Sequence, residues 1–315
     1  MGFRKIIGFG GNSFVISLPK TWITSLGLKK GDLVSINEDD EHVLRVMPEN
    51  VKPTKQKTEI TLEFIDIPHL KAQLVYAYIS NYDTITIVGN NLDKQISDIR
   101  KEVQNFVALE IMNYTEKTVV LKDFLNINEI AVYEIIRKID RLILLMADDV
   151  KQILNGDKSA DLYEQIEQKE IDINKLCNLI FKVSKLSFNP VDRNILKLTL
   201  DDVFYYWEMA SFLEKFADQV KRVPRYFKKI PLDEQLTKTF NKLMEHYSMA
   251  MKGNFTKNIN LGSQVMVNKV KLFEECDTHS NRLPKEYSQV IEKFNLMNTH
   301  VGNLGKVLLK LSKTT

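Results

Sequence analysis

Apolar and polar positions follow three different patterns along the chain. Over residues 1–47, short alternating runs surround the stretch KTWITSL, which lies between Pro19 and Gly27. Proline favours the first turn of a helix and glycine its end, so this region predicts strand, turn, strand, short helix and hairpin. The following segment PENVKPTKQK has two prolines and few apolar residues, and it is interpreted as a linker.

Residues 58–124 alternate between strand and helix patterns. TEITLEF and YDTITIVG predict strands, and between them Pro68 precedes the helical spacing of HLKAQLVYAYIS. LDKQISDIRKEV predicts a second helix, and FVALEIMN and KTVVLKDF predict two more strands. The order β-α-β-α-β-β predicts a small α/β domain. No glycine loop for phosphate and no nucleophile with a base is present, which leaves structural and ligand-sensing roles open.

From about Asn126 onward the pattern is helical. Three helical segments, the basic connector KRVPRYFKKI and three more segments predict a pair of antiparallel three-helix bundles. The six long segments lie near 126–155, 159–187, 191–223, 232–252, 256–279 and 285–313. We therefore predict a multidomain α+β protein with domains at 1–50, 58–124 and 126–315.

The first fifty residues are too few to bury a core alone. Domains of about 40 residues usually require disulfides, metals or association, and this segment has no cysteine and no ligand cluster. A second copy of the chain is the simplest way to complete it, so a homodimer is expected. Residues 1–31 carry five basic residues and no acidic one, whereas residues 32–50 carry six acidic residues against Arg45. Such a module would present one basic face and one acidic edge.

The rest of the composition favours a cytoplasmic protein without catalytic chemistry. Cys177 and Cys276 lie far apart in helical patterns, which fits reduced buried thiols. No run of about 18 apolar residues occurs, so no membrane insertion is expected. No Ser/His/Asp set, no Cys/His pair in a suitable context and no nucleotide loop is present, so we do not expect an enzyme.

The residues GFGGNSFVISLPKTWITSLGLKKGD resemble the AbrB/SpoVT/MazE family of DNA-binding modules. The resemblance covers residues 3–47 and rests on the glycine turn, on the strand SFVISLPK that leads into the helix, and on LGLKKGD before the hairpin. It implies that two chains interlace their hairpins into one swapped-hairpin β-barrel, each chain supplying half, which binds double-stranded DNA. The implied DNA-binding residues are Arg4, Lys5, Asn12, Ser13, Lys20 and Thr21.

General physical chemistry agrees with these assignments. Basic side chains that meet phosphates release counterions and bind in a salt-dependent manner. Small polar side chains in a loop suit phosphate or base edges, and the start of a helix favours phosphate. Asn12 and Ser13 stand where members of the family often carry arginine. A module with modest DNA affinity that serves chiefly for dimerisation is therefore the alternative.

Acidic residues accompany the apolar stripes of the first predicted bundle. Glu214 and Asp218 are four residues apart and so project from one helix face, while Glu170 lies near the stripe of the preceding helix. Carboxylates on neighbouring helices can chelate a divalent cation. Exposed acids on amphipathic helices are the commoner explanation of such spacing.

The segments EQKEIDINKLCNLIFKVSKL and SFLEKFADQVKRV resemble the PhoU family of phosphate-signalling regulators. The resemblance covers about 126–315 and implies two three-helix bundles that hold iron- or zinc-type clusters. It assigns Glu170, Glu214 and Asp218 as metal ligands in the first bundle. Glu167 and Asp172 lie on the same predicted helix as Glu170. The second bundle has His300, Gly302 and Gly305 where the acidic motif would stand, so at most one metal site is expected.

Together the two resemblances imply an archaeal-type PhoU regulator fused to an AbrB-like module. The implied function is DNA-binding transcriptional regulation of phosphate uptake or metabolism, with the helical half sensing phosphate status through a metal or a partner. One alternative is a phosphate-signalling adaptor that only dimerises through its N-terminal module and binds a phosphate transporter or a sensor kinase. Another is an antitoxin, against which the long helical half argues.

Overall fold

The computed structural model describes residues 3–11, 13–38, 44–48, 58–157 and 159–311. The chain divides into two compact units, Met1–Gln56 and Lys57–Thr315. The first unit consists of short strands and one short helix. The second unit combines a mixed sheet with long helices, so the chain is a multidomain protein with a strand-rich N-terminal region and a mostly helical C-terminal part.

The first unit contains two separate antiparallel pairs of strands among its described residues. In chain order, the elements of this unit are β1 (Ile7–Phe9), β2 (Ser13–Val15), α1 (Lys20–Ser25), β3 (Val34–Glu38) and β4 (Leu44–Pro48). β1 pairs with β2, and β3 pairs with β4. This is the predicted order of elements. The swapped-hairpin barrel stays a prediction, because a second chain is needed to form it.

A four-stranded sheet with two helices opens the second unit. Its elements are β5 (Glu59–Glu63), α2 (Ile67–Ile79), β6 (Thr84–Val88), α3 (Leu92–Val103), β7 (Leu109–Tyr114) and β8 (Thr118–Asp123). The strand order is β5-β6-β8-β7, in which β5 and β6 are parallel and the other pairs are antiparallel. The single parallel pair follows from the βαβ connection through α2, because a crossover helix returns the chain in the same direction.

The side chain of Asp66 defines the start of α2 by accepting the backbone N–H of His69 at 2.8 Å. This N-cap satisfies one of the donors left free at a helix start. The apolar faces of both helices and of the sheet form a core that includes Leu70, Leu74, Ile85 and Leu121. The α/β region therefore has a core of its own.

Six long helices follow. They are α4 (Val132–Leu154), α5 (Ala160–Leu186), α7 (Leu200–Tyr226), α8 (Glu234–Thr256), α9 (Ile259–Arg282) and α10 (Ser288–Leu311), with the short α6 (Pro190–Ile195) before α7. One-turn 3-10 helices lie at Ile127–Glu129 and Lys285–Tyr287. Within the described ranges, no helix has the length and apolarity that crossing a membrane requires.

The long helices pack in two groups of three. Helices α4, α5 and α7 pack against one another, as do α8, α9 and α10, and α7 also packs along α10. One continuous apolar core runs through both groups. Phe216 of α7 stacks on Tyr247 of α8 with ring centroids 4.5 Å apart, and the Tyr247 hydroxyl donates to Asp140 of α4. The two groups are therefore joined by core packing.

The predicted helical segment 191–223 is two helices. Lys197 has φ of +53°, which ends α6 and reorients the chain. Thr199 then caps α7 by a reciprocal arrangement in which its side chain accepts the N–H of Asp202 and the Asp202 carboxylate accepts the N–H of Thr199. At its other end α7 continues through Pro224 to Tyr226, so the first part of the basic connector is helical.

Candidate functional site

The β1–β2 hairpin presents Ser13 at the first position of β2, opposite Phe9 of β1. Gly10 in the turn has φ of +69°, a left-handed conformation that glycine adopts without steric penalty. Ser13 is exposed. Asn12, the other predicted loop contact, lies outside the described residues.

Both faces of this hairpin carry exposed apolar side chains. Residues paired across antiparallel strands point to the same face, so Ile7, Phe9 and Val15 share one face. Phe14, which pairs with Gly8, points to the other. Phe9 is 69% exposed and Phe14 is 77% exposed. A two-stranded ribbon that is apolar on both faces requires covering on both faces.

The β3–β4 hairpin has a continuous apolar face. The register pairs Ile36 with Val46 and Val34 with Pro48, which places Val34, Ile36, Leu44 and Val46 on one side of the ribbon. Ile36 is 60% exposed and Leu44 is 62% exposed. Sequence reasoning did not single out these residues, although their alternation in VSIN and LRVMP is the signal that would have found them.

No side chain is buried in the part of the first unit whose exposure the structure describes. Burying a large apolar side chain stabilises a protein by about 1.5–3 kcal/mol, and this unit gains none of that energy in full within one chain. The part of the first unit that the structure describes therefore forms no hydrophobic core within one chain.

The helix α1 brings two of the predicted DNA-binding residues, Lys20 and Thr21, to its first turn, where both are exposed. The helix has six residues, and Pro19 at its N-cap makes no side-chain capping bond. Helix dipoles sum over aligned peptides, so a helix this short adds little field. The charge of the Lys20 ammonium is the larger attraction for a phosphate here.

The end of α1 is fixed by backbone hydrogen bonds. The N–H of Leu28 donates to Ile23 O at 3.0 Å, and the N–H of Gly27 donates to Thr24 O at 3.2 Å. Gly27 has φ of +65°, as expected for the left-handed residue that terminates a helix in this bond pattern. The segment LGLKKGD therefore leaves the helix in a defined direction.

A tight turn follows at Lys29–Asp32. The N–H of Lys29 donates to the Asp32 carboxylate at 2.7 Å, and the N–H of Asp32 donates to Lys29 O at 3.1 Å. Gly31 supplies the positive φ of +97°. The turn leaves the side chains of Lys29 and Lys30 exposed.

The predicted contacts Arg4 and Lys5 precede β1 and do not lie within it. Both are exposed, and the Arg4 guanidinium donates only to the carbonyl of Phe3. Among the residues that the structure describes, no basic side chain of residues 3–31 forms an ion pair with a carboxylate.

The predicted metal ligand Glu170 is compensated by the protein itself. Its Oε1 atom lies 2.7 Å from the ammonium of Lys221 and accepts a hydrogen bond from the Asn174 amide at 2.8 Å. Lys221 lies on α7, so this half-buried ion pair joins α5 to α7.

Asp218, the second predicted ligand, pairs with Arg222 at 2.9 Å. Glu214, the third, makes no hydrogen bond or ion pair among the described residues. Burial raises the pKa of Glu214 above its usual value, the nearby carboxylates of Glu170 and Asp218 raise it further, and Lys215 opposes them. Glu214 is therefore the uncompensated carboxylate of the three.

Two of the three carboxylates, Glu170 and Asp218, are paired with protein cations in this arrangement. The described residues contain no group of three or more His, Cys, Asp or Glu side chains placed to hold a metal ion. Glu167 pairs with Arg225 at 3.1 Å, and the amide of Gln168 donates to Asp172. Metal binding in the first bundle stays a prediction.

The comparisons with known proteins concern the N-terminal module. The chain has no match among the curated proteins or the solved structures with which it was compared. Residues 9–54 match the family model described as "Antidote-toxin recognition MazE, bacterial antitoxin". This segment begins at Phe9, the last residue of β1, and includes β2, α1 and the β3–β4 hairpin. The N-terminal module of this chain is thus similar to a MazE-type antitoxin domain.

Proposed function

We propose that the protein is a dimeric, DNA-binding transcriptional regulator. The observation that carries the proposal is the N-terminal module, which matches a MazE-type domain over residues 9–54 and whose described side chains remain unburied in one chain. MazE/AbrB-type modules typically dimerise and bind DNA. Two interlaced copies would cover the apolar faces of both hairpins and form the swapped-hairpin barrel.

The basic half of the module would supply the DNA contacts. A two-fold dimer repeats Arg4, Lys5 and Lys20 symmetrically, and each ammonium or guanidinium that meets a phosphate releases counterions. Ser13 at the start of β2, with Asn12 beside it, would offer polar groups to phosphate or base edges. Phosphate contacts would therefore dominate the affinity.

In this proposal the second unit regulates DNA binding and reads phosphate status. The support is its resemblance to PhoU regulators, together with two groups of three long helices that pack side by side. The input would come through a metal or through a partner such as a phosphate transporter or sensor kinase. A two-fold symmetric DNA-binding dimer must match the spacing of the two half-sites in the DNA. A small rearrangement of the dimer would therefore change its affinity for DNA.

A DNA-binding titration tests the proposal. The full chain should bind duplex DNA at low salt, and Arg4→Ala/Lys20→Ala should weaken it and reduce the slope of log affinity against log salt by about 2–4. The matched control is Lys94→Ala/Lys138→Ala, which removes the same charge from exposed positions of the second unit. Equal loss in both double variants, or in neither, contradicts the assigned DNA face. Absence of binding to both random and promoter DNA would favour the adaptor.

An antitoxin is the second candidate, since the matched family is described as one. The argument against it is the second unit, a compact α/β and helical structure over Lys57–Thr315. The toxin-binding segment of an antitoxin would instead be short and would become ordered only when it binds the toxin. Hydrogen exchange on the purified protein distinguishes these functions. A regulator should protect the amides of α4–α10 without any partner, whereas an antitoxin should leave its toxin-binding segment unprotected.

A further inference from the structure

A cleft of about 240 Å³ lies between the α/β region and the first group of helices. Helices α2 and α3 form one wall, and α5 and α7 form the other. Its charged side chains are Lys71, Glu102, Glu170, Glu214 and Lys221, and Asn105 and Asn178 are among its amides. Clefts between packed structural regions are common places for small ligands.

One buried ion pair and one exposed hydrogen bond join the two walls. Lys182 of α5 lies 2.9 Å from Asp123 at the end of β8, with both side chains nearly inaccessible to solvent. Lys175 of α5 donates to the carbonyl of Gln104 at 2.7 Å. The cleft is therefore a fixed feature of the second unit.

Part of the charge in the cleft is already compensated. Lys221 and Glu170 form an ion pair at 2.7 Å. The Asn105 amide donates to the Glu102 carboxylate at 3.3 Å. The Asn105 amide is neutral, so the negative charge of Glu102 remains in the cleft.

Three polar side chains in the cleft have no such partner. Glu214 on α7 and Asn178 on α5 make no hydrogen bond or ion pair among the described residues, and neither does Lys71 on the opposite wall. Glu214 and Asn178 are half-buried, whereas Lys71 is exposed at the mouth of the cleft. A half-buried carboxylate without a partner is costly, and a cationic ligand group would relieve that cost.

We propose that this cleft binds a free α-amino acid. The ligand ammonium would pair with Glu214, the ligand carboxylate would pair with Lys71 on the facing wall, and Asn178 would hydrogen-bond to either group. Val75 and Phe106 give the cleft an apolar side for part of the ligand. A zwitterion can pair with Glu214 and Lys71 at once, whereas a simple anion or a simple cation can pair with only one of them.

The chemistry of the lining disfavours inorganic phosphate in the same place. Three carboxylates line the cleft against two lysines, one of which is neutralised by Glu170. A phosphate dianion would be repelled by the remaining carboxylates. The inference goes beyond the proposed function, because the amino acid would be a second input to the regulator and would stabilise the docking of the α/β region on α5.

Calorimetry and thermal shift of the full chain test this proposal. Each standard amino acid is added singly at up to about 10 mM, which detects affinities of the order of 1 mM. At least one should bind with one site per chain. The corresponding amine without the carboxylate, and the corresponding acid without the amine, should bind at least about tenfold more weakly.

Two variants and their controls complete the experiment. Glu214→Gln and Lys71→Met should each weaken binding at least about tenfold, whereas Glu110→Gln and Lys94→Met, at exposed positions outside the cleft, should not. Absence of any binding amino acid, equal binding by the cleft variants, or binding of inorganic phosphate that Glu214→Gln weakens would each overturn the proposal. None of these outcomes depends on DNA binding, so the two proposals fail separately.

Discussion

The ammonium of Lys182 lies 2.9 Å from a carboxylate oxygen of Asp123, and this ion pair joins α5 to the end of β8. The side chains are 1% and 5% exposed. The same ammonium donates to the carbonyl of Tyr78 at 3.0 Å and lies 4.6 Å from the centroid of the Tyr78 ring. A buried charge with these partners fixes how the α/β region docks on the helices.

Removing one member of this pair should be strongly destabilising. Lys182→Met leaves the Asp123 carboxylate buried without its cation, and the expected loss in the free energy of unfolding is about 3–5 kcal/mol. Urea denaturation followed by circular dichroism measures it. Lys185→Met, one turn further along α5, removes an exposed hydrogen bond to Ser80 and should cost at most about 1 kcal/mol. Similar losses in both variants would contradict the structural importance of the buried pair.

Two glycines of α10 should respond differently to alanine. A Cβ at Gly305 would lie 2.8 Å from Cγ1 of Val265 and 3.4 Å from the carbonyl of Gly262, so Gly305→Ala should destabilise the protein by about 1–3 kcal/mol. A Cβ at Gly302 would meet Cδ of Lys269 at 2.6 Å. A lysine side chain can turn away, and alanine favours helix by about 1 kcal/mol. Gly302→Ala should therefore be neutral or stabilising in the same denaturation assay.

The sequence was most informative where local pattern decides the structure. The segment LDKQISDIRKEV coincides with α3, and α5, α8, α9 and α10 lie within a few residues of their predicted bounds, whereas α4 begins later than predicted. The division of 191–223 into α6 and α7 was missed, although Thr199 and Asp202 carry a capping signature in the sequence. The apolar stripe continues on both sides of the break between α6 and α7. The periodicity alone therefore predicted one helix, although the cap at Thr199 indicates a new start.

Side-chain partners could not be read from spacing. Glu214 and Asp218 do lie one turn apart on α7, as predicted. Their environment depends on long-range packing, which places Lys221 on Glu170 and brings Lys71 of α2 to the same cleft. Lys221 meets Glu170 because α7 packs on α5, and Lys71 joins them because the α/β region docks on α5. No local pattern in the sequence encodes either packing.

Protonation of a buried histidine should make the protein less stable in mild acid. The Nε2 atom of His246 is 2.9 Å from the carbonyl of Val265, and burial lowers its pKa below 6.5 more than this hydrogen bond raises it. The unfolded chain therefore binds a proton at a higher pH than the folded chain does. Stability should fall as pH decreases below about 6.5.

The variant His246→Gln keeps a donor for Val265 and removes the titration. Its free energy of unfolding should depend less on pH below 6.5 than that of the wild type, as measured by urea denaturation at a series of pH values. The control is His69→Gln, at an exposed histidine that pairs with Asp66. If the wild type and His246→Gln lose stability in parallel with pH, His246 does not contribute to acid sensitivity.

The exposed apolar face of the β3–β4 hairpin should be the region that holds the dimer together. Ile36→Lys and Leu44→Lys would be tolerated in a monomer, because both side chains are more than half exposed there. In a two-fold dimer each substitution occurs twice. The loss of about 1.5–3 kcal/mol per buried side chain then raises the dimer dissociation constant about a hundredfold or more.

Analytical ultracentrifugation over a range of protein concentrations measures this constant. Met112→Lys is the matched control, because Met112 is 53% exposed on β7 of the second unit and should leave the dimer unchanged. Loss of the dimer in Ile36→Lys should be accompanied by loss of DNA binding, since a single module would present half of the charge. A dimer that survives both hairpin substitutions would place the interface elsewhere and would remove the physical basis of the swapped-hairpin barrel.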